Sequence, residues 1–336
     1  MEPDSIQLDH GSGGRATHEL IRQLFAEAFA NPFLAEMNDS ALLPMVPTPL
    51  AMTTDCYVVD PIIFPGGDIG SLAVHGTIND LAMQGARPLY LSAGYILEEG
   101  LPMPILRQVV HSMAQAAREA GVMVVAGDTK VVPKGKADKL FINTTGVGSV
   151  PEGRRIGGQY AQTGDAVLIN GTIGDHGMAI MCKREGLAFE NEIHSDSAAL
   201  HTLVEAMLIA CPSIHVLRDP TRGGVATSLN EIAQQSNVGI VLEEQSLPIR
   251  QDVAGACEIL GLDPLYVANE GKLLACVPGE HVDAVLAAMR SHPLGTSSCR
   301  IGQIVASDPG RLVLRTRIGG QRLVTMLRGE QLPRIC

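Results

Sequence analysis

The residues best placed to do chemistry are a thiol at the last position of the chain and four aspartates set in short polar motifs. Cys336 closes the stretch Gly329-Glu330-Gln331-Leu332-Pro333-Arg334-Ile335-Cys336. Nothing follows to pack it, and an extended tail of this length reaches roughly 26–29 Å, enough to enter a cleft or leave one. Such a thiol suits a group that is modified in one place and presented in another. The plainer reading is an incidental cysteine at a frayed end. Asp39, Asp55, Asp80 and Asp128 stand in Asn38-Asp39-Ser40, Thr53-Thr54-Asp55, Asn79-Asp80 and Ala126-Gly127-Asp128-Thr129-Lys130. If these carboxylates converge they repel one another unless a divalent cation holds them.

His10-Gly11-Ser12-Gly13-Gly14-Arg15 offers different chemistry. Gly11, Ser12, Gly13 and Gly14 leave backbone N–H groups free to curl round an anion, and the helix predicted over residues 16–30 adds its N-terminal dipole. A flexible linker ahead of a helix would read the same way. Asp128, Thr129 and Lys130 put acid, hydroxyl and amine in an expected turn at a strand end, suited to a phosphate and its cation, or to plain solvation. Arg218-Asp219-Pro220-Thr221-Arg222-Gly223-Gly224 is a second glycine-rich start to a helix, with two arginines. Spacing alone gives no role to Arg15, Arg222 or Glu270.

These side chains need elements to hold them. The helix predicted over residues 69–84 carries Leu72, Val74, Ile78, Leu81 and Met83 nearly all round, which predicts burial. Asp80 near its C-terminal end faces the negative end of the helix dipole, so it needs a positive partner, Arg87 or a metal. Strands are expected over 49–54 (ending on Asp55), 57–59, 89–97, 122–125 and 140–150, with a helix over 102–120. After a Gly- and Arg-rich boundary near 151–160, strands are expected over 165–170, 238–243, 269–277, 301–305, 312–314 and 322–324. Helices follow Gly171-Thr172-Ile173-Gly174 and span 197–210, 223–235, 252–260 and a segment ending near Met289. Alternating strands and helices in both halves predict an α/β chain. The division expected is 1–153, 154–328 and a mobile tail, 329–336.

Composition narrows the partners. A net charge of −11 repels phosphate backbones, so no nucleic acid is expected, and a polyphosphate would have to arrive with a divalent cation. Met1-Glu2-Pro3-Asp4 predicts no signal peptide, and no apolar run approaches a membrane span, so a cytoplasmic protein with no membrane partner is expected. Seven cysteines without a CxxC pair argue against a disulfide framework and a zinc knuckle.

Taken together, the glycine loop at 10–15, Asn38-Asp39, Thr53-Thr54-Asp55, Ala126-Gly127-Asp128-Thr129 and Asp219-Pro220-Thr221-Arg222-Gly223-Gly224 resemble one superfamily. The more specific block Asn79-Asp80-Leu81-Ala82-Met83-Gln84-Gly85-Ala86-Arg87-Pro88 points the same way. The superfamily is the ATP-binding group of aminoimidazole ribonucleotide synthetase, selenophosphate synthetase and thiamine-monophosphate kinase. Within it, the Pro333-Arg334-Ile335-Cys336 ending resembles the carbamoyl-cysteine dehydratases of hydrogenase maturation. The resemblance implies an α/β (α+β) chain in a two-domain PurM-like fold. Its N-terminal mixed-sheet domain would form a homodimer barrel and bind ATP, beside a C-terminal α/β domain and a flexible C-terminal tail. It implies Mg²⁺ on Asp39, Asp55, Asp80 and Asp128, with the nucleotide near Gly11–Gly14, Asp55, Asn79, Asp128 and Thr129. Cys336 would receive a carbamoyl group from a partner carbamoyltransferase and be dehydrated to S-cyanocysteine, with cyanide passing through a maturation scaffold to the hydrogenase iron. Lys130 would help neutralise the transferred phosphoryl group, and Glu270, with Asp80 second, would take the amide protons. The glycine loop carries Ser12 where selenophosphate synthetase has its nucleophilic cysteine. Two other readings remain, a small-molecule phosphotransferase of the same fold and a non-enzymatic scaffold.

Overall fold

The structure, a computed structural model, describes residues 4–37, 40–187, 189, 192–329 and 331–336. Asp39, expected as a metal ligand, lies outside the described residues.

The first half is built on a four-stranded sheet of β1 (Leu50–Tyr57), β4 (Arg87–Glu98), β5 (Met123–Val132) and β6 (Leu140–Ser149), in the order β1-β6-β4-β5. Only the β4–β5 pair is parallel. A two-stranded ribbon, β2 (Ile63–Phe64) and β3 (Gly67–Asp68), leads into the helices. Before the sheet comes α1 (Arg15–Leu20), and against one face of the sheet pack α2 (Ile69–Met83) and α3 (Met103–Glu119). Strand alternation sorts the side chains. Thr53, Asp55 and Tyr57 of β1 turn inward, whereas Met52, Thr54 and Cys56 turn to the open face.

Asp68 caps α2, accepting from Gly70 N at 2.9 Å and Ser71 N at 3.1 Å. The all-round apolar pattern of α2 has a simple cause. Leu72, Val74 and Ile78 belong to the core of the first half, while Ala82 and Met83 belong to a core of the second. The helix is the shared wall between them.

The second half is a seven-stranded sheet, β13-β12-β9-β11-β7-β10-β8. Its strands are β7 (Ala166–Ile169), β8 (Val216–Arg218), β9 (Gly239–Glu243), β10 (Leu274–Val277), β11 (Cys299–Val305), β12 (Leu312–Arg315) and β13 (Gln321–Val324). Its helices are α4 (Asp175–Glu185), α5 (His201–Ala210), α6 (Gly224–Ser236), α7 (Gln251–Leu260) and α8 (Val282–Arg290). Among the described residues no helix is long and apolar enough to cross a membrane.

Three local expectations change. Residues 126–130 are not a turn: they continue β5 in parallel register with Ser92–Ile96. Gly127 is required there, because a Cβ would stand 2.8 Å from Ala93 O. Residues 269–273 are irregular, and β10 begins only at Leu274. The tail, expected as a free arm, lies docked here. Ile335 is 3% exposed and packs with the first-half core, and Val58 N donates to Cys336 O at 3.1 Å.

Candidate active site between the two halves

Asp55 and Asp80 reach the same point from different elements. Asp55 comes from the inner face of β1, and Asp80 from the last turn of α2. The Thr53 hydroxyl donates to Asp80 Oδ2 at 2.6 Å, and the Tyr57 hydroxyl donates to Asp55 Oδ2 at 3.2 Å. Space for that phenol exists because residue 76 is glycine: a Cβ there would lie 2.3 Å from the Tyr57 oxygen. Below it, Thr77 and Thr144 join through their hydroxyls at 2.5 Å. Burial and the neighbouring Asp55 carboxyl push Asp80 up to about 6, despite the Thr53 bond. The cation that acts on Asp80 is Arg218 rather than Arg87, which faces a separate crevice with Arg154 and Glu205.

The second half completes the site. Asp219 follows β8, and burial with the charges of Asp80 and Asp55 raises it to about 7. Glu270 is buried, and its carboxyl is pushed well above the ordinary range by burial, then by Asp219 and Asp196. Its Oε1 has no hydrogen-bond partner among the described residues. A buried acceptor left unmatched is costly, by about 1–3 kcal/mol, and marks a place where a donor belongs. Asp196 holds the Glu270 backbone, accepting from Glu270 N at 3.1 Å and Gly271 N at 3.2 Å.

Cys336 sits beside these groups in its own chain. Burial first, then the Glu270 carboxyl, raises its thiol to about 12, with Arg222 acting in the opposite sense and Asp55 reinforcing the rise. The thiol is therefore held neutral mainly by burial. Next to this cluster a cavity of about 550 Å³ is lined by Thr53, Asp55, Asp80, Arg218, Asp219 and Arg222, among others. That volume lies within the range of small-molecule sites.

The remaining sequence candidates fall elsewhere. Asn79 does not face the cavity. Its Nδ2 donates to Ala198 O at 3.0 Å and Glu270 O at 3.2 Å, and its Oδ1 accepts from Leu200 N at 2.8 Å. Both ends of the amide are committed, so Asn79 ties α2 to the second half and is corrected from nucleotide ligand to domain tie. Asp128 and Lys130 are exposed on β5, three strand spacings from β1, about 14 Å. They also face the other way. Asp128 is in register with Gly94, which pairs with Asn143 and so with Cys56 on the open face, while Asp55 points inward. One chain therefore does not gather Asp55, Asp80 and Asp128 into a single cluster. Thr129 is buried, and its N–H donates to Asp128 Oδ1 at 2.8 Å.

The glycine loop belongs to this second group, since a Cβ at Gly11 would stand 2.6 Å from Val131 N. Gly13 N donates to Thr17 Oγ1 at 3.0 Å and Gly14 N to Ser12 Oγ at 3.4 Å. The loop is closed on itself.

Sequence reasoning overlooked Tyr57, Thr77 and the carboxyl of Asp219. Gly76 was the available signal, a glycine inside a buried helix with no turn to explain it.

The raised carboxyls make stability depend on pH. Between about pH 4 and the raised values, folded Asp80 and Asp219 keep protons that the unfolded chain has released. Stability of the nucleotide-free protein therefore falls as pH rises through about 4 to 7. Asp219→Asn is expected to flatten that slope and raise the melting temperature at neutral pH, read by thermal denaturation in chelator. A parent-like slope would remove Asp219 from the account.

Comparison with known proteins finds relatives along nearly the whole chain. The family described as AIR synthase related protein, N-terminal domain, matches residues 37–150, and its C-terminal domain counterpart matches residues 162–315. A carbamoyl dehydratase HypE of Cupriavidus necator is 58% identical over 332 residues, covering 98% of this chain and 95% of the relative. A crystal structure of HypE in complex with ATP superposes with a TM-score of 0.94 at 55% identity, covering 98% of this chain and 99% of that one. The HypE–HypF complex gives a TM-score of 0.81 at 48% identity, covering 92% and 99%.

Proposed function

We infer the chemistry from membership: this chain belongs to the HypE family of carbamoyl dehydratases, among the AIR synthase related proteins. It dehydrates an S-carbamoyl group on its own Cys336 to a thiocyanate, using ATP, in the maturation of nickel–iron hydrogenase. One observation carries this reading to the residues. The terminal thiol is docked in its own chain's site beside Glu270, whose buried oxygen lacks the donor that a carbamoyl N–H would supply.

The bonds balance as follows. The carbamoyl oxygen of Cys336 takes the γ-phosphoryl group of ATP as one N–H proton leaves. The C–O bond then breaks with loss of the second proton, giving S–C≡N, ADP and phosphate. Phosphorylation converts an oxygen that leaves poorly into one that leaves well. Glu270 is the proton acceptor: its carboxylate, once ionised, has the proton affinity of a group with a raised pKa. Arg222, exposed at the cavity wall and acting on Cys336, is placed to stabilise negative charge on the phosphorylated group.

The residues fit Mg²⁺. Two hard-oxygen ligands, Asp55 and Asp80, lie close enough that Asp55 adds to the rise burial gives Asp80, a repulsion that a divalent cation between them would relieve. Among the described residues no group of three or more ligating side chains gathers, which suits an ion whose shell is completed by phosphate and water. When bound, Mg²⁺ supplies charge neutralisation at the transferred phosphoryl group. Asp80→Asn should cut ATP turnover by about a hundredfold or more and raise the melting temperature at neutral pH, because a buried, uncompensated carboxyl is gone. Phosphate release at the parent rate would remove Asp80 from the site.

A homodimer accounts for the split carboxylates. The open sheet face carries Met52, Cys56, Asn143, Asp128 and Lys130, and a second copy on this face would cover Met52, which is 73% exposed. The nucleotide site would then draw Asp128 and Lys130 from this shared face, with Thr129 and the glycine loop lying next to them on and beside β5. A carbamoyltransferase loads Cys336, a reading supported by the solved HypE–HypF complex, and a maturation scaffold takes up the cyanide. All seven cysteines are unpaired, which suits a cytoplasmic setting.

The test is mass spectrometry of the C-terminal peptide. Carbamoylated protein given Mg²⁺ and ATP should lose one water from Cys336, with one ADP formed per peptide converted. An adduct of unchanged mass would end this reading.

A further inference from the structure

The docked tail is held through its own side chains and its backbone: Ile335 is buried, Arg334 Nε donates to Val58 O at 2.9 Å and its guanidinium pairs with Asp138, and two side chains of α4 bind the tail's main chain. His176 is fully buried; its Nε2 lies 2.8 Å from Ile335 O and its Nδ1 2.8 Å from Ser195 Oγ. A carbonyl only accepts, so Nε2 carries the hydrogen and Nδ1 receives the serine hydroxyl. Eight residues on, along the same helix, Arg184 donates from Nη1 to Pro333 O at 2.7 Å and from Nη2 to Arg334 O at 2.8 Å. Its Nε also donates to Asp60 O at 2.9 Å. One guanidinium thus bridges the end of the first sheet and two successive tail carbonyls, a reach that its planar fork permits and a lysine's point charge does not.

The same region is indexed to Glu270. Ser195, which orients His176, adjoins Asp196, whose carboxylate accepts from Glu270 N, Gly271 N and Lys272 Nζ. The approach is tight, since a Cβ at Gly271 would stand 1.7 Å from Asp196 O. Tail and proton acceptor are thereby referred to one short segment.

We propose that His176 and Arg184 form a backbone clamp that sets how much of the time Cys336 is docked, and that the Ser195–Asp196 segment sets its position relative to Glu270. These are positioning residues, since their hydrogen bonds run to the tail's main chain and not to its sulfur. The clamp reads no side chain, so it accepts the tail equally before and after carbamoylation, and Ile335 anchors it in the core. The role in catalysis rests on the dehydratase reading; the docking equilibrium does not.

The first measurement therefore uses unmodified full-length protein without nucleotide, treated with iodoacetamide and read peptide by peptide. A cysteine-containing peptide added to the reaction serves as the internal standard. Arg184→Ala should label Cys336 about tenfold faster or more relative to that peptide, the size expected for losing charge-assisted bonds. Arg184→Lys should fall between, and Lys183→Ala, one residue away and exposed, should match the parent. Ile335→Ala repeats the test from the tail, leaving the domains untouched if Arg184→Ala folds poorly. Parent-like labelling of Cys336 in Arg184→Ala and Ile335→Ala overturns the clamp without touching the dehydratase reading. Carbamoylated Arg184→Ala should then dehydrate about tenfold more slowly in a single turnover, with an unchanged KM for ATP and carbamoylation no slower than the parent. Dehydration at the parent rate overturns the positioning role.

Discussion

Cys336→Ala protein is expected to melt like the parent, bind ATP, and form no dehydrated product when supplied with the carbamoyl donor system and Mg²⁺. The effect is complete because the residue is the attachment point of the substrate, and no neighbouring thiol replaces it. Cys182 and Cys257, the pair in the adjoining core cluster, are buried. Folding is spared because the docked tail is anchored through Ile335 and through main-chain bonds to His176, Arg184 and Val58, all retained in the variant. The measurements are ATP consumption coupled to the donor system and the mass of the C-terminal peptide. Undiminished ATP turnover in Cys336→Ala would instead favour a phosphotransferase that acts on a free small molecule.

Glu270→Gln carries the second large effect. Removing a positioned proton acceptor costs about 10²–10⁴ in rate, and glutamine keeps the shape while losing the basicity. The pH dependence separates this from a structural effect. Burial and the charges of Asp219 and Asp196 raise the Glu270 carboxyl, so in the nucleotide-free protein it holds its proton above the ordinary glutamate range. A base works only when ionised, so the parent's single-turnover rate should climb as pH rises through that raised value. In Glu270→Gln the residual rate should be flat over the same range. The variant should also be the more stable at neutral pH, since it removes a buried acid that resists ionisation. A slow but equally pH-dependent Glu270→Gln would assign the proton transfer to another group, with Asp80 the next to test.

Much of this protein is legible in its sequence, for definable physical reasons. The all-round apolar helix at Ile69–Met83 announces its own burial, because few surfaces other than a shared wall satisfy such a pattern. The block Asn79–Pro88 and the glycine-rich segments point to the AIR synthase related family, which the family models match over both halves, whereas the tail expected as a free arm lies docked. These signals are local, carried by residue types within a few positions of one another.

What the sequence by itself determined, then, was the class of fold and the kind of chemistry: a mixed α/β chain of the carbamoyl dehydratase family, with the aspartates and Cys336 as candidates for it. Tertiary structure alone decided which of those residues meet. Asp55 and Asp128 look equivalent as motif members, yet sheet order and strand alternation put them three strands apart on opposite faces. Asn79 adjoins Asp80 in sequence but turns to bind Ala198, Leu200 and Glu270. Asp219 and Glu270 join the site from beyond residue 200, and the tail's dock comes from His176 and Arg184 on α4, a helix to which the sequence attached no role. The reason is geometric. Side-chain direction on a strand reverses with each residue and on a helix turns by about 100°, so neighbours in sequence part company, and only the packing of the two halves brings distant ones together.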